Sequence, residues 1–187
     1  MAPLDDVHVL LASEPLVHVT DGLADDVRRA QAGDDEAFGR LVESCWADLV
    51  RLARSVVGEA EAEDAVQDGL IAAWDGIRQL RDPARLRPWA TRIVFRRCLR
   101  RTRWRRLRVA LGALREPASR PDPESELSLW QLLSGLAPRQ RAVLHMTVVE
   151  EMSDSEIGDA LGLAPGSVRA HRRRAREALA RRLGAKP

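Results

Sequence analysis

Ser167, Arg169, His171, Arg172, Arg173, Arg174 and Arg176 fall within one ten-residue stretch. Guanidinium groups at this density can grip phosphates and read guanine edges. They follow SDSEIGDALGLAPG, residues 153–166. Ser153 with Glu156 forms a capping-box pattern, and Ile157, Ala160 and Leu161 give the helix behind it one apolar face. Gly162 suits a left-handed helix end, and Pro165 suits the first turn of the next helix. Val168, Ala175, Leu179 and Leu183 then face inward. A basic run alone is no more than a solvated helix face. Here seven arginines between 169 and 182 oppose a single acid, Glu177, and they follow a capped helix and a turn. The pattern predicts a helix–turn–helix DNA reader. Ser167, Arg169 and residues 171–173 are expected to reach the major groove, with Arg174 and Arg176 on phosphates.

Two further stretches carry charge of opposite sign. Residues 81–108 hold twelve arginines and only Asp82 as an acid. Arg92, Arg96, Arg97, Arg100, Arg101, Arg103, Arg105 and Arg106 exceed what solubility asks of one helix, and such a face binds DNA with strong salt dependence. Strand opening also needs flat side chains on which unstacked bases rest, for which Trp104 is a candidate; Phe95 is left unassigned. Residues 59–75 hold six acids and no base. Asp64, Gln67 and Asp68 share one face of that helix, either as a solvated surface or as a contact for a basic protein. The net charge of +2 conceals this segregation, which predicts separate faces for separate partners. Lys186 is the only lysine, a bias from which no function is read.

Other chemistries are poorly supported. There is no GxxxxGK[ST] loop, nucleophile motif or HExxH, so no catalytic residue is assigned. Cys45 and Cys98 form no disulfide framework, and no metal ligand set or cofactor is expected from them or from the scattered histidines. Cys45 sits at an apolar helical position and is expected to be buried. No run approaches the roughly 18 apolar residues of a membrane span, and Asp5 and Asp6 stand where a secretory signal carries positive charge. A soluble, cytoplasmic protein is expected, without membrane contact.

The elements that must hold these residues are helical almost throughout. Residues 1–20, with Pro3 and Pro15, read as an N-terminal extension. A first helix spans about Asp21 to Gly33. Asp34 caps a second, in which Phe38, Leu41, Val42, Cys45, Leu49, Leu52 and Val56 recur at helical steps until Gly58. A third runs from about Glu61 to Leu80, and Pro88 opens a fourth ending near Arg106. Three prolines between 117 and 123 mark residues 109–126 as a flexible linker. A short helix from Leu127 to Gly135, another opened by Pro138, and the reader pair complete the chain. The expected fold is all-α, with two small helical domains at 21–108 and 127–185.

Residues 21–185 resemble an extracytoplasmic-function (group IV) sigma factor of the sigma-70 family. DDEAFGRLV is similar to the start of region 2, and AEAEDAVQDGLIAAW to its acidic polymerase-binding helix. LRPWATRIVFRRCLRR resembles the melting and minus-10 segment. LAPRQRAVLHMTVVEEMSDSEIGDALGLAPGSVRAHRRRAREAL resembles region 4. The resemblance implies a fold of sigma region 2 and sigma region 4, and partners in core RNA polymerase (beta-prime clamp helices and beta flap), promoter DNA and an anti-sigma factor. It places polymerase contacts at Asp64, Gln67 and Asp68. Minus-10 binding and melting fall to Arg85, Arg87, Arg92, Arg96, Arg97, Arg100, Arg103 and Trp104, with a flipped base captured near Asp82–Arg87. Minus-35 binding falls to the region 4 residues from Ser167 to Arg176. Trp74 and Trp89 are read as structural. With the chain ending soon after region 4, no appended sensor domain is expected.

The sequence departs from that family's pattern in places. Ala90, Phe95, Arg96 and Arg100 stand where Leu, Arg, Asn and an acid are usual, which implies promoter opening through an altered or less selective minus-10 contact. Ala164 replaces a capping Ser, a loss of roughly 1 kcal/mol in typical helices; Ser167 replaces Thr and His171 an Arg. The alternatives are a stand-alone helix–turn–helix transcription factor with a sensing or partner-binding domain, and an adaptor that binds polymerase without opening promoters.

Overall fold

A computed structural model describes residues 22–111 and 133–182. Among these residues the regular elements are all helical. Helix α1 (Leu23–Gln31) has acids in its first turn and arginines in its last, and buries Val27 and Ala30. Each charge opposes the partial charge of its helix end. Gly33, at φ +96°, turns the chain. Asp34 then caps α2 (Asp35–Val57), its carboxylate accepting from the Ala37 N–H at 2.9 Å. Leu41, Cys45, Leu49, Leu52 and Val56 form the buried stripe read from their spacing.

Gly58 separates α2 from α3 (Glu59–Gly76), which starts two residues before the expected Glu61. After Gly76 the chain tightens into a 3₁₀ turn at Ile77–Gln79 instead of continuing to Leu80. Gln31 Nε2 fastens that turn by donating to the carbonyls of Ile77 and Leu80 at 3.1 and 2.7 Å. Asp82 caps a second 3₁₀ turn, Pro83–Arg85, which winds directly into α4 (Leu86–Ala110). Pro88 therefore lies within the first turn of α4 rather than opening it, a place where a missing N–H costs nothing. Helix α4 runs two residues past 108 into the expected linker; residues 112–126 of that linker lie outside the described residues, as do residues 1–20.

The second half contains α5 (Pro138–Val148), α6 (Asp154–Leu161) and α7 (Pro165–Arg182). Of the helix expected at Leu127–Gly135, only the end is described. The two halves, expected as separate domains, pack along one continuous apolar cluster. It runs from Leu49, Val56, Val66 and Val94 to Val143, Ile157 and Val168. The cause lies in α5, where Ala142, Val143, Leu144, His145 and Met146 are all buried. Five successive buried residues span the whole circumference of a helix, so this stretch of α5 is covered on every side. Smaller clusters close each end, one around Val27, Leu41 and Leu86 and one around Leu144 and Ala175. Trp74 meets Phe38 edge-on, with ring centroids 4.9 Å apart, and Trp89 packs against two of the clusters.

Helices α3 and α4 approach closely at Gly69, where an added Cβ would lie 2.6 Å from Val94 Cγ2 and 3.0 Å from its Cα. Gly39 on α2 has nothing within 4 Å of the same position. Gly69→Ala is expected to lower urea-unfolding stability by about 1–3 kcal/mol through overpacking. Gly39→Ala is expected to raise it by about 0.5–1 kcal/mol through backbone entropy. Burial, as the main cause, pushes the Cys45 and Cys98 thiols up to about 11 and about 12. At pH 8 neither should react with a thiol-specific chromogen until denaturant is added, when two thiols per chain should appear.

Candidate nucleic-acid and polymerase interfaces

The reader unit starts with Ser153. Its hydroxyl accepts from the Glu156 N–H at 3.3 Å, while the Glu156 carboxylate accepts from the Ser153 N–H at 2.8 Å. These bonds hold the Glu156 carboxyl below its usual range. Helix α6 ends at Gly162, in the left-handed region at φ +69°. Gly158 allows the turn to fold back, since a Cβ there would meet the Leu163 carbonyl oxygen at 2.6 Å. That requirement escaped the sequence reading because a mid-helix glycine shows no partner in one dimension.

Val168 and Ala175 seat α7 on the core. Arg169 and Arg173, four residues apart, project outward with exposed side chains, and Ser167, Arg174 and Arg176 are exposed as well. Arg172 differs from the expectation of a groove-facing residue. Its guanidinium lies bidentate on Asp154, at 2.6 and 3.4 Å, and ties α7 to the first turn of α6. Arg169 reaches the same carboxylate at 3.5 Å. Asp154 is thus a second residue the sequence reading missed, although a first-turn acid followed by a basic helix was a usable signal. His171 is half-buried, and its Nδ1 is closed off from solvent. Burial, then Arg174 and Arg139, hold its pKa below the usual histidine value, so the ring is neutral at pH 7.

In the first half, the eight residues expected at the minus-10 element divide into two groups. Arg96, Arg100 and Arg103 recur at i, i+4 and i+7 on α4 and are exposed. Arg97 and Trp104 lie beside them along an open groove of about 830 Å³ between α3 and α4. Trp104 is 55 % exposed, and Ile71 across the groove is 64 % exposed. Phe95, by contrast, is 1 % exposed and belongs to the core. The other group is held by protein. Arg87 donates to Asp48 at 2.9 Å and to the Ser44 carbonyl at 3.2 Å. Arg85 meets the Asp159 carboxylate at 3.1 Å, and Arg92 donates to the Asp159 carbonyl.

The acidic and basic stretches were expected to serve separate faces; they meet instead. Arg101 donates to Asp68 at 2.6 and 3.2 Å and lies 3.7 Å from Asp64, and Arg105 lies 3.6 Å from Glu61. Close packing at Gly69 brings the two helices within reach, and opposite charges zip their rims. Asp64, Gln67 and Asp68 nevertheless stay exposed on one face of α3.

A third polar group lies where the halves join. Arg141 Nη2 donates to the Val56 carbonyl at 2.6 Å, one of the unpaired carbonyls at the end of α2. Burial lowers the Arg141 guanidinium to about 10, so it stays charged at neutral pH. Arg51 bonds Asp48 and lies 3.7 Å from Glu150, while His145 Nε2 lies 3.4 Å from Glu150 Oε1. Neither of those last two atoms has a well-aligned hydrogen bond, so that contact is electrostatic. Burial alone would raise the Glu150 carboxyl, but His145, Arg51 and Arg87 outweigh it and lower it. Burial and Glu150 raise Asp48. Among the described residues no group of His, Cys, Asp and Glu is placed to hold a metal ion, and no helix is long and apolar enough to cross a membrane.

A helix–turn–helix unit joined to a helical body with exposed arginine rows defines a DNA-binding protein built for more than one contact. The sequence matches Sigma-70 region 2 over residues 41–108 and Sigma-70, region 4 over residues 126–179. It is 32% identical over 177 residues to the RNA polymerase sigma factor NccH of Alcaligenes xylosoxydans xylosoxydans, covering 86% of this chain and 95% of that one. It is 33% identical over 157 residues to the ECF RNA polymerase sigma factor SigM of Mycobacterium tuberculosis, covering 82% of this chain and 80% of the other. In structure it resembles CnrH in complex with the cytosolic domain of CnrY, with TM-score 0.66, 29% identity, and coverage of 89% of this chain and 100% of that one. The chain belongs to the sigma-70 family, in its extracytoplasmic-function group. As such it binds core RNA polymerase and directs promoter recognition, DNA melting and transcription initiation.

Asp154→Ala should release Arg172 and weaken the seat of α7. The expected loss is about 1 kcal/mol, combining a half-buried ion pair with a first-turn acid, measured by urea unfolding.

Proposed function

We propose that residues 21–108 and 127–185 act as two promoter grips and divide the labour of initiation as follows. Arg96, Arg97, Arg100 and Arg103 hold minus-10 phosphates, and Trp104 supports an unstacked base. Arg85, Arg87 and Arg92 extend that contact at the start of α4. Ser167, Arg169 and Arg173 meet minus-35 base edges, while Arg174 and Arg176 hold phosphates. His171, being neutral and half-buried, contributes shape rather than charge, and Arg172 orients the helix through Asp154. Asp64, Gln67 and Asp68 dock on a basic surface of core polymerase, which supplies the catalysis; the chain itself is not an enzyme and works in the cytoplasm beside that polymerase. CnrH is seen with the cytosolic domain of CnrY, which supports an anti-sigma partner here too.

The observation that carries this reading is the exposed row Arg96, Arg100 and Arg103, unengaged by any carboxylate contact recorded among the described residues. Run-off transcription with purified core enzyme tests it. Adding this chain alone to core should yield promoter-dependent transcripts. Alanine at 96, 100 and 103 together should cut them at least about tenfold and reduce the salt slope of DNA binding by roughly 2–3, at about 0.9 per phosphate contact. Arginine at Asp64 and Gln67 should weaken core binding without changing that slope. DNA binding by the chain alone, with no transcript from core, would instead favour the stand-alone transcription factor.

A further inference from the structure

Arg169 and Arg173, the two arginines of α7 assigned to base edges, each have an acid within reach, and the two acids differ in kind. Glu177 lies 3.6 Å from Arg173, one turn along the same helix, with both side chains more than half exposed. Asp154 comes from another helix, in the first turn of α6, and its side chain is only 21% exposed. It holds two guanidiniums at once. Arg172 engages both carboxylate oxygens, at 2.6 and 3.4 Å, and is itself 24% exposed. Arg169 touches Oδ2 through Nη1, at 3.5 Å, with 62% of its side chain exposed. A guanidinium carries five N–H donors in a rigid fork, and a guanine edge takes two of them. Arg169 can therefore rest on Asp154 and still present a donor pair outward.

We propose that Asp154 is a positioning residue for base reading: it aims the Arg169 guanidinium at the major groove, while Arg172 fixes the carboxylate from the α7 side. This rests on the assignment of Arg169 to a minus-35 base edge made under Proposed function. An arginine on a helix surface samples many rotamers, and ordering it on a base opposes binding. Asp154 supplies part of that order before DNA arrives. The carboxylate is anchored by its bidentate bonds to Arg172, so the protein sets the direction of aim. An acid beside a DNA-reading helix also repels phosphates lying within the Debye length of about 8 Å. Removing it leaves Arg172 free to attract them. Asp154 thus has two opposed effects, weakening attachment to any sequence while sharpening the choice between sequences. Specificity is a difference of affinities, so the two effects separate in one measurement.

The test uses the full chain bound to purified core polymerase, with promoter-length duplexes randomised in the upstream element as the probe. Bound duplexes are sequenced, and affinity for a mixed-sequence duplex is measured alongside. Arg169→Ala should flatten the preference at one base pair, which identifies the pair that Arg169 reads. Asp154→Ala should lower the preference at that same pair about two- to fivefold, the range of an exposed ion pair, and should tighten mixed-sequence binding. Ser153→Ala removes the cap of α6 without touching either arginine and should leave that preference intact. Asp154→Ala added to Arg169→Ala should change nothing further at the pair. A loss spread evenly over all positions, an equal effect of Ser153→Ala, an additive double variant, or no base preference in the parent chain would each overturn the aiming role. Run-off transcription is read separately. A selection that behaves as expected without any transcript keeps the role of Asp154 and loses the sigma reading, while transcripts with no Asp154 effect on preference do the reverse.

Discussion

The central run of helix α5 has no face to give to water. Its buried run from Ala142 to Met146 must be covered by the reader helix on one side and by α2 on another, and the remaining interface follows from that demand. Once α5 is seated, Arg141 lies against the end of α2, where the Val56 carbonyl awaits a donor. Removing a guanidinium from water is costly, and the bond to a helix end offsets part of that cost. The cluster of Asp48, Arg51, Arg87, His145 and Glu150 works on the same terms, with burial raising its carboxyls and neighbouring cations lowering Glu150.

Electrostatic segregation along the chain takes on a different meaning in three dimensions. The acidic α3 and the arginine-rich α4 are neighbours, with Gly69 setting their close approach. Arg101 and Arg105 are consumed in holding α3, so the free cationic surface is narrower than the count of arginines suggests. It includes the row Arg96, Arg100 and Arg103, with Arg97 and Trp104 along the groove, and the exposed Arg106 and Arg108 beyond them. In the reader helix Arg172 is spent likewise on Asp154. Of two arginines adjacent in sequence, Arg172 and Arg173, one is a strut and the other faces outward, because 100° of helix rotation separates them.

Much was legible from local pattern. The capping box at Ser153, the left-handed stop at Gly162, the cap at Asp34 and the buried stripe of α2 all rest on interactions spanning four residues or fewer, which a sequence displays directly. The start of α4 was misplaced because a 3₁₀ turn capped by Asp82 winds into the helix ahead of Pro88, and proline marks a permitted place for a helix start rather than the start itself. Gly158 and Gly69 were passed over because the atoms that exclude a side chain there, Leu163 O and Val94, come from a turn and from another helix.

The sequence by itself determined an all-α chain with a helix–turn–helix and arginine-rich helices, since helical period, caps and charge runs are local properties. Only the tertiary structure decided which charges are free and whether the halves stand apart. The bonds from Arg92 to Asp159 and from Arg141 to Val56 join residues 67 and 85 positions apart. Contacts of that reach depend on how whole helices pack, and no spacing rule within one helix encodes them.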